Sequence, residues 1–225
     1  MSPDVCAFAA TALAGAAHLW SRAAMQDLIE GYRRYRQGRW PTLKALHEQL
    51  AERQRPGVLI IACCDSRVDP ATIFDADPGQ LFVIRNVANL APPYEEGGGY
   101  HGTSAAIEFA VTNLEVATIL VLGHARCGGV TAALGRPHKH VGQFLDPWVD
   151  LLEPAKKRIA SSTSDPQTAL EHESIKVTLE NLMTFPFVAE RVKAGKLALQ
   201  GARYGIADGG LEILDPKTGD FEPVV

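Results

Sequence analysis

The sequence is poor in cysteine and has no surplus of basic charge. Its 225 residues include four cysteines, Cys6, Cys63, Cys64 and Cys127, which are too few and too irregularly spaced for a disulfide framework. Lys and Arg number 22 against 26 Asp and Glu, a formal net charge of −4, which argues against a dedicated nucleic-acid binder. No apolar run approaches the ~20 residues that a membrane-spanning helix needs. We therefore predict a globular protein with reduced thiols and no membrane span.

The first 24 residues differ in composition from the rest of the chain. Val5 to Trp20 is an alanine-rich apolar stretch that resembles the core of a secretory signal, but no Lys or Arg precedes Arg22. We therefore expect residues 1–24 to be an extension of uncertain structure, and the protein to be cytoplasmic. The alternatives are a chain that starts at Met25 and, if residues 1–24 act as a signal peptide, a periplasmic location.

Four apolar runs of strand length lie along the chain. They cover 58–62, 81–85, 118–123 and 197–205. Such runs without polar alternation are typical of strands that are buried on both faces of a sheet. Residues 211–214 predict a further, short strand at the edge of that sheet.

Segments with helical spacing of their apolar residues precede and separate these runs. They include 26–54, 103–114 and 168–194. The alternation of strands and helices with short connections indicates βαβ units and a mostly parallel sheet. We predict an α/β fold with a central sheet of about four strands plus an edge strand, flanked by helices, with an N-terminal helical arm. No linker or internal repeat is evident, so 25–225 is interpreted as a single domain.

Two of the buried strands run directly into possible metal ligands. The run at 58–62 continues into CCDSR at 63–67, and the run at 118–123 continues into HARC at 124–127. Because sites in parallel sheets form beyond the carboxyl ends of the strands, these residues can converge. Two thiolates and one imidazole would leave the fourth tetrahedral position of zinc open, as in catalytic sites. His138 and His140 lie in a polar stretch, where we expect a solvated loop rather than a second metal site.

The pair of motifs resembles that of the β-class carbonic anhydrases, C-x-D-S-R followed by H-x-x-C, here CCDSRVDP and HARCGG. The segments LFVIRNVANL, HGTSAAIEFAV and YGIADGGLEIL extend the resemblance from about Met25 to about Leu214. It implies that Cys63, His124 and Cys127 bind one Zn²⁺ per chain. Cys64 falls on the variable position of the motif, and we expect it to be a packed thiol without a role.

The resemblance also implies an activity, the reversible hydration of carbon dioxide to bicarbonate and a proton by a zinc-bound hydroxide. Asp65 would orient the hydroxide, and Arg67 would hold the Asp65 carboxylate through a bidentate pair. In some relatives this aspartate displaces the water, so Asp65 is expected to ligate zinc only in a closed form. Val87 and Gly128 are expected to line the substrate pocket.

A regulatory bicarbonate pocket in this family uses a Trp, an Arg and a Tyr. Arg85 and Tyr204 match two of these positions, whereas Ile60 stands where the Trp would fall. We therefore expect this pocket to be incomplete. Without it, bicarbonate has no full site from which to favour the closed form, so an open zinc site is predicted at and above neutral pH.

Three functions remain open for this sequence. The first is hydration of carbon dioxide, and the second is hydrolysis of another small linear molecule, such as carbon disulfide or carbonyl sulfide, on the same scaffold. The third is a zinc-bearing or redox domain without turnover. The intact Asp65 and Arg67 favour the first two, because a structural site does not need that pair.

The N-terminal segment 26–54 carries apolar faces that a small parallel sheet is not expected to cover by itself. In the family, such helices lie across a neighbouring subunit and the active-site cleft forms at the dimer interface. The resemblance therefore implies a homodimer or a tetramer.

Overall fold

The computed structural model describes residues 17–97, 99–135, 142–159 and 163–224, with the side chains from residue 22 onward. The chain divides into two compact units, with the boundary between Arg53 and Gln54. The interpretation of 25–225 as a single domain stays a prediction. Residues 1–16 of the expected extension, and the loop with His138 and His140, lie outside the described residues. In the described part of the chain, every helix is too short or too polar to cross a membrane.

The N-terminal unit contains two helices, α1 (Ala17–Gln37) and α2 (Trp40–Leu50). The first begins earlier than the apolar spacing predicted, since alanine favours helix. Tyr35 of α1 joins the two helices: its ring meets the Trp40 ring edge-on, with centroids 6.2 Å apart, and its hydroxyl lies 3.3 Å from His47 Nε2. The unit is otherwise largely exposed, including Met25, Leu28 and Tyr32.

The second unit is built on a sheet whose first four strands are parallel. These are β1 (Val58–Cys63), β2 (Leu81–Asn86), β3 (Thr118–His124) and β4 (Ala198–Tyr204). All lie within two residues of the predicted bounds. β1 and β3 are almost wholly buried, as their unbroken apolar runs predicted. The α/β fold with a mostly parallel sheet is therefore confirmed.

Two further strands follow β4 in antiparallel order. They are β5 (Leu211–Leu214) and β6 (Phe221–Pro223), and the order of the sheet is β2-β1-β3-β4-β5-β6. The prediction that 211–214 forms the edge was therefore wrong. Leu214 pairs with Phe221 across a turn in which Gly219 has a φ of 77°. Three residues of strand carry too little periodic signal for the sequence to reveal β6.

Helices cover the connections between the strands of this unit. They are α3 (Pro70–Ile73), α4 (Gly102–Glu108), α5 (Gly128–Leu134), α6 (Leu145–Val149), α7 (Glu153–Lys156), α8 (Pro166–Leu182) and α9 (Pro186–Lys193). Asp165 begins α8 by accepting a hydrogen bond from the Thr168 amide at 3.1 Å. The predicted segment 168–194 is two helices, because Phe185 precedes a proline and takes an extended conformation.

The close packing of α8 on the sheet depends on two glycines. A Cβ on Gly123 of β3 would lie 2.7 Å from Ile175 Cδ1, and one on Gly201 of β4 would lie 2.6 Å from Ile175 Cγ2. Both distances are far below van der Waals contact, so only glycine admits Ile175 there. The helix is thereby held against the carboxyl-terminal halves of β3 and β4.

The order of the strands determines where a site can form. From β1 the chain goes to β2 on one side, and then crosses back to β3 on the other side of β1. The connections after β1 and β3 therefore diverge, which leaves a crevice beyond their carboxyl ends. β1 ends at Cys63 and β3 ends at His124.

Candidate active site

Three possible metal ligands meet in this crevice. One ligand atom each from Cys63, His124 and Cys127 lies within 4.8 Å of the others, and all three residues are buried. In the register of β1 with β3, Ala62 pairs with Leu122, so His124 lies one residue beyond the level of Cys63 at the same edge of the sheet. Cys127 follows β3 by one tight turn and precedes α5. The convergence that the two motifs predicted is confirmed.

The geometry of these atoms fits a zinc ion. The two sulfur atoms lie 3.9 Å apart, and two thiolates at about 2.3 Å from a tetrahedral zinc would lie about 3.8 Å apart. His124 Nδ1 lies 2.9 Å from the Ala125 carbonyl oxygen, which can only accept a hydrogen bond. Nε2 is then the unprotonated nitrogen, and it is buried without a partner among the described residues. A histidine held by a carbonyl through one nitrogen, with the other free, is typical of metal ligands.

The electrostatics of the three residues also favour a cation. The hydrogen bond from Cys127 lowers the pKa of Cys63 to about 4 despite burial, and the hydrogen bond with Cys63 raises the pKa of Cys127. Burial opposes the charged form of His124, but the Cys63 sulfur, the Ala125 carbonyl and the Asp65 charge together outweigh it and raise the pKa of His124. The two sulfur atoms therefore share one proton and one negative charge, and a divalent cation would displace that proton.

Asp65 and Arg67 form a tight ion pair beside these ligands. The Arg67 amide and Nε donate to Asp65 Oδ1 at 3.0 and 2.9 Å, and a terminal nitrogen donates to Oδ2 at 2.6 Å. These hydrogen bonds hold the pKa of Asp65 well below its usual range. The same terminal nitrogen also donates to the Arg126 carbonyl at 3.3 Å, which ties the pair to the turn before Cys127.

A tight turn at Val87–Asn89, directly after β2, borders the ligands. The Ala88 amide donates a hydrogen bond to the Cys63 sulfur, and the Val87 carbonyl accepts one from Trp148 Nε1 at 2.8 Å. Ala88 takes a left-handed φ of 64°, which is uncommon for a residue with a Cβ. The turn packs against the start of α5, since a Cβ on Gly129 would meet Val87 and Ala88. Trp148 was not anticipated from the sequence.

The contact of this turn with α5 depends on Gly129. A Cβ there would lie 2.8 Å from Val87 Cγ1 and 2.9 Å from Ala88 Cβ, whereas a Cβ on Gly128 would meet nothing within 4 Å. We expect Gly129→Ala to lower the free energy of unfolding by about 1–3 kcal/mol, the usual effect of overpacking. Gly128→Ala, the matched control, should leave the melting temperature of the protein unchanged. Equal melting temperatures for the two variants would contradict this packing.

Arg85 and Cys64 differ from what the sequence suggested. Arg85 directs its donors to backbone oxygens of Cys63, Asp65 and Val68 at 2.7–3.0 Å, so it holds the loop after β1 in place. Ile60, at the position of the missing Trp, lies in the core. Cys64 was expected to be packed, but it is exposed; it lies one residue beyond the end of β1, outside the buried strand.

The sequence reasoning also missed Glu171 of α8. Its side chain is 1 % exposed, and it accepts hydrogen bonds from the Cys127 amide at 3.3 Å and from Gln167 at 2.7 Å. The available signal was an acidic residue one turn before Ile175, on the buried face of α8. The metal ligand is thus supported by a buried carboxylate.

Comparisons with known proteins agree with this geometry. The sequence model of the carbonic anhydrase family matches residues 58–211. Beta carbonic anhydrase 3 of Arabidopsis thaliana is 36% identical over 207 residues, which are 87% of this chain and 79% of that protein.

Solved structures of β-carbonic anhydrases also resemble this chain. The β-carbonic anhydrase CcaA superposes with a TM-score of 0.80 at 34% identity, covering 90% of this chain and 93% of that one. Two tetrameric β-carbonic anhydrases of the fungus Sordaria macrospora match with a TM-score of 0.70 at 26% identity, covering 88% and 97%. A family match over more than half of the chain and a relative that is 36% identical over most of it lead to one conclusion: this chain belongs to the β-carbonic anhydrases.

Proposed function

We propose that this chain catalyses the reversible hydration of carbon dioxide to bicarbonate and a proton, with the Asp65–Arg67 pair orienting the attacking oxygen. The observation that carries the proposal is the buried, partnerless Nε2 of His124 next to two sulfur atoms 3.9 Å apart. These three groups would hold one zinc ion. When bound, zinc supplies hydroxide near neutral pH by lowering the pKa of a coordinated water.

Asp65 is suited to accept a hydrogen bond from the attacking oxygen. A carboxylate has about four lone-pair positions, and Arg67 occupies three of them, two on Oδ1 and one on Oδ2. The remaining position on Oδ2 can take one further donor, and the side chain is 17% exposed, so a small molecule can reach it. Because the acceptor is already fixed, no free energy is spent on reorganising it when the oxygen attacks.

The same contacts favour an open zinc site, in which Asp65 does not coordinate the metal. For Asp65 to become the fourth ligand, its carboxylate would have to turn away from Arg67 and lose charge-assisted hydrogen bonds. We propose that Asp65 ligates zinc only in a closed form, and that the open form is the active one. Val87, in the turn after β2, and Gly128, the first residue of α5, would line the substrate pocket.

We also propose a homodimer or tetramer in the cytoplasm. The Sordaria macrospora relatives are tetrameric, and the exposed Met25, Leu28 and Tyr32 recur at helical spacing along α1, which suits an interface. Light scattering on an active preparation tests the assembly, and a monomeric mass would contradict it.

Reduced thiols, which zinc binding requires of Cys63 and Cys127, fit a cytoplasmic location.

The reaction itself is tested by stopped-flow mixing of the zinc-loaded protein with carbon dioxide in a weakly buffered pH indicator. We expect rapid acidification that depends on the enzyme concentration and disappears when zinc is removed. The same instrument then measures carbon disulfide and carbonyl sulfide, since pocket shape decides between these linear molecules. Turnover of the sulfur compounds without turnover of carbon dioxide would reject the proposal.

A further inference from the structure

The metal ligand Cys127 is held at both of its backbone polar groups by side chains of α8 and α5. Its amide donates to Glu171 Oε1 at 3.3 Å. Its carbonyl oxygen accepts from Gln167 Nε2 at 3.3 Å and from the Thr131 hydroxyl at 3.0 Å. Gln167 in turn donates to Glu171 Oε1 at 2.7 Å. The backbone of Cys127 thus makes three hydrogen bonds with side chains outside its turn, and the bond between Gln167 and Glu171 links two of these side chains.

The turn that carries Cys127 needs such support. Arg126, directly before it, has a φ of 57°, a left-handed conformation that is unfavourable for a residue with a Cβ. Cys127 itself takes an extended conformation before α5 begins. A turn of this kind keeps one orientation only when its surroundings hold it there, and that orientation decides where the Cys127 sulfur points.

The supporting carboxylate is buried together with its counter-charge. Arg203 of β4 donates to Glu171 Oε2 at 2.8 Å, and it also contacts Glu212 at 3.1 Å. The side chains of Glu171 and Arg203 are 1% and 12% exposed. Burying two charges is costly, and replacing them with apolar side chains would often stabilise the fold. Their presence behind a metal ligand therefore calls for a role beyond stability.

We propose that Glu171, paired with Arg203 and assisted by Gln167, is a positioning residue that orients Cys127 for zinc and so sets how tightly the metal is held. A carboxylate accepts the Cys127 amide more strongly than a neutral acceptor does, and Arg203 fixes the carboxylate in turn. The packing of Ile175 against Gly123 and Gly201 places Glu171 at this point, one turn earlier on α8. The inference rests on the metal site of the proposed function, but not on the reaction.

The test compares Glu171→Gln with Glu180→Gln in the full-length protein. Glu180 lies on the same helix and is also ion-paired, with Arg158 at 2.6 Å, but it is exposed. The zinc dissociation constant is measured by competition with a chromophoric chelator, and the ligand field is measured from the visible spectrum of the Co²⁺-substituted protein. We expect Glu171→Gln to weaken zinc binding 10–100-fold and to alter the Co²⁺ spectrum, whereas Glu180→Gln should match the wild type in both.

A merely structural role gives a different result. If Glu171→Gln lowers the melting temperature of the zinc-free protein but leaves the zinc dissociation constant and the Co²⁺ spectrum unchanged, the proposal is wrong. Should Glu171→Gln fail to fold, Gln167→Ala keeps the Glu171–Arg203 pair and removes the contact to the Cys127 carbonyl. It is then expected to weaken zinc binding several-fold, and an unchanged dissociation constant would overturn the proposal. Because neither readout involves turnover, both are independent of the substrate.

Discussion

Cys63→Ala is expected to abolish both zinc binding and carbon dioxide hydration. The three protein ligands become two, and the buried Nε2 of His124 and the Cys127 sulfur cannot complete a tetrahedral set alone. Zinc content, measured by plasma mass spectrometry after dialysis, should fall from one ion per chain to near zero. The hydration rate in a stopped-flow assay should fall to that of the buffer.

Cys64→Ser is the matched control for this variant. Cys64 is the next residue in the chain, but it is exposed and does not belong to the ligand cluster. Serine keeps its size, so zinc content and the hydration rate should equal those of the wild type. Loss of zinc from Cys64→Ser would show that the wrong thiol of the pair is assigned as the ligand.

Asp65→Asn is expected to reduce kcat on the order of 100-fold while leaving zinc in place, within the range that a positioned proton acceptor contributes. Asparagine has the same shape, but its amide offers Arg67 one oxygen where the carboxylate offers two. The attacking oxygen then loses a fixed, charged acceptor. Steady-state kinetics and zinc analysis on the same preparation separate a catalytic defect from loss of the metal.

Asp69→Asn serves as the control in the same loop. The Asp69 carboxylate accepts a hydrogen bond from the Thr72 amide at 2.9 Å and begins α3. Asparagine is an equally good residue at that position. The hydration rate of Asp69→Asn should therefore stay at the wild-type value. If Asp65→Asn behaves in the same way, Asp65 does not orient the attacking oxygen.

The sequence alone was sufficient for the parallel strands and the metal ligands. Both depend on short-range patterns: unbroken apolar runs mark strands that are buried on both faces, and CCDSR and HARC follow two of those runs directly. Once both strands are parallel, their carboxyl ends share one edge of the sheet. The convergence of the cysteines at 63–64 with His124 and Cys127 follows from this. The resemblance to the carbonic anhydrases implies that Cys63 is the ligand of the pair, and the structure brings Cys63, His124 and Cys127 together.

The tertiary structure decided what depends on contacts between distant segments. The sixth strand, which is too short to show a period, exists because β5 offers it a partner. The exposure of Cys64 depends on where the buried strand β1 ends. Glu171 lies 44 residues beyond Cys127, and only the packing of α8 on Gly123 and Gly201 brings its carboxylate to the Cys127 amide. Local patterns of residues therefore determined the elements and the metal ligands, whereas the side chains that hold those ligands in place are decided by packing, because packing joins residues that no local pattern connects.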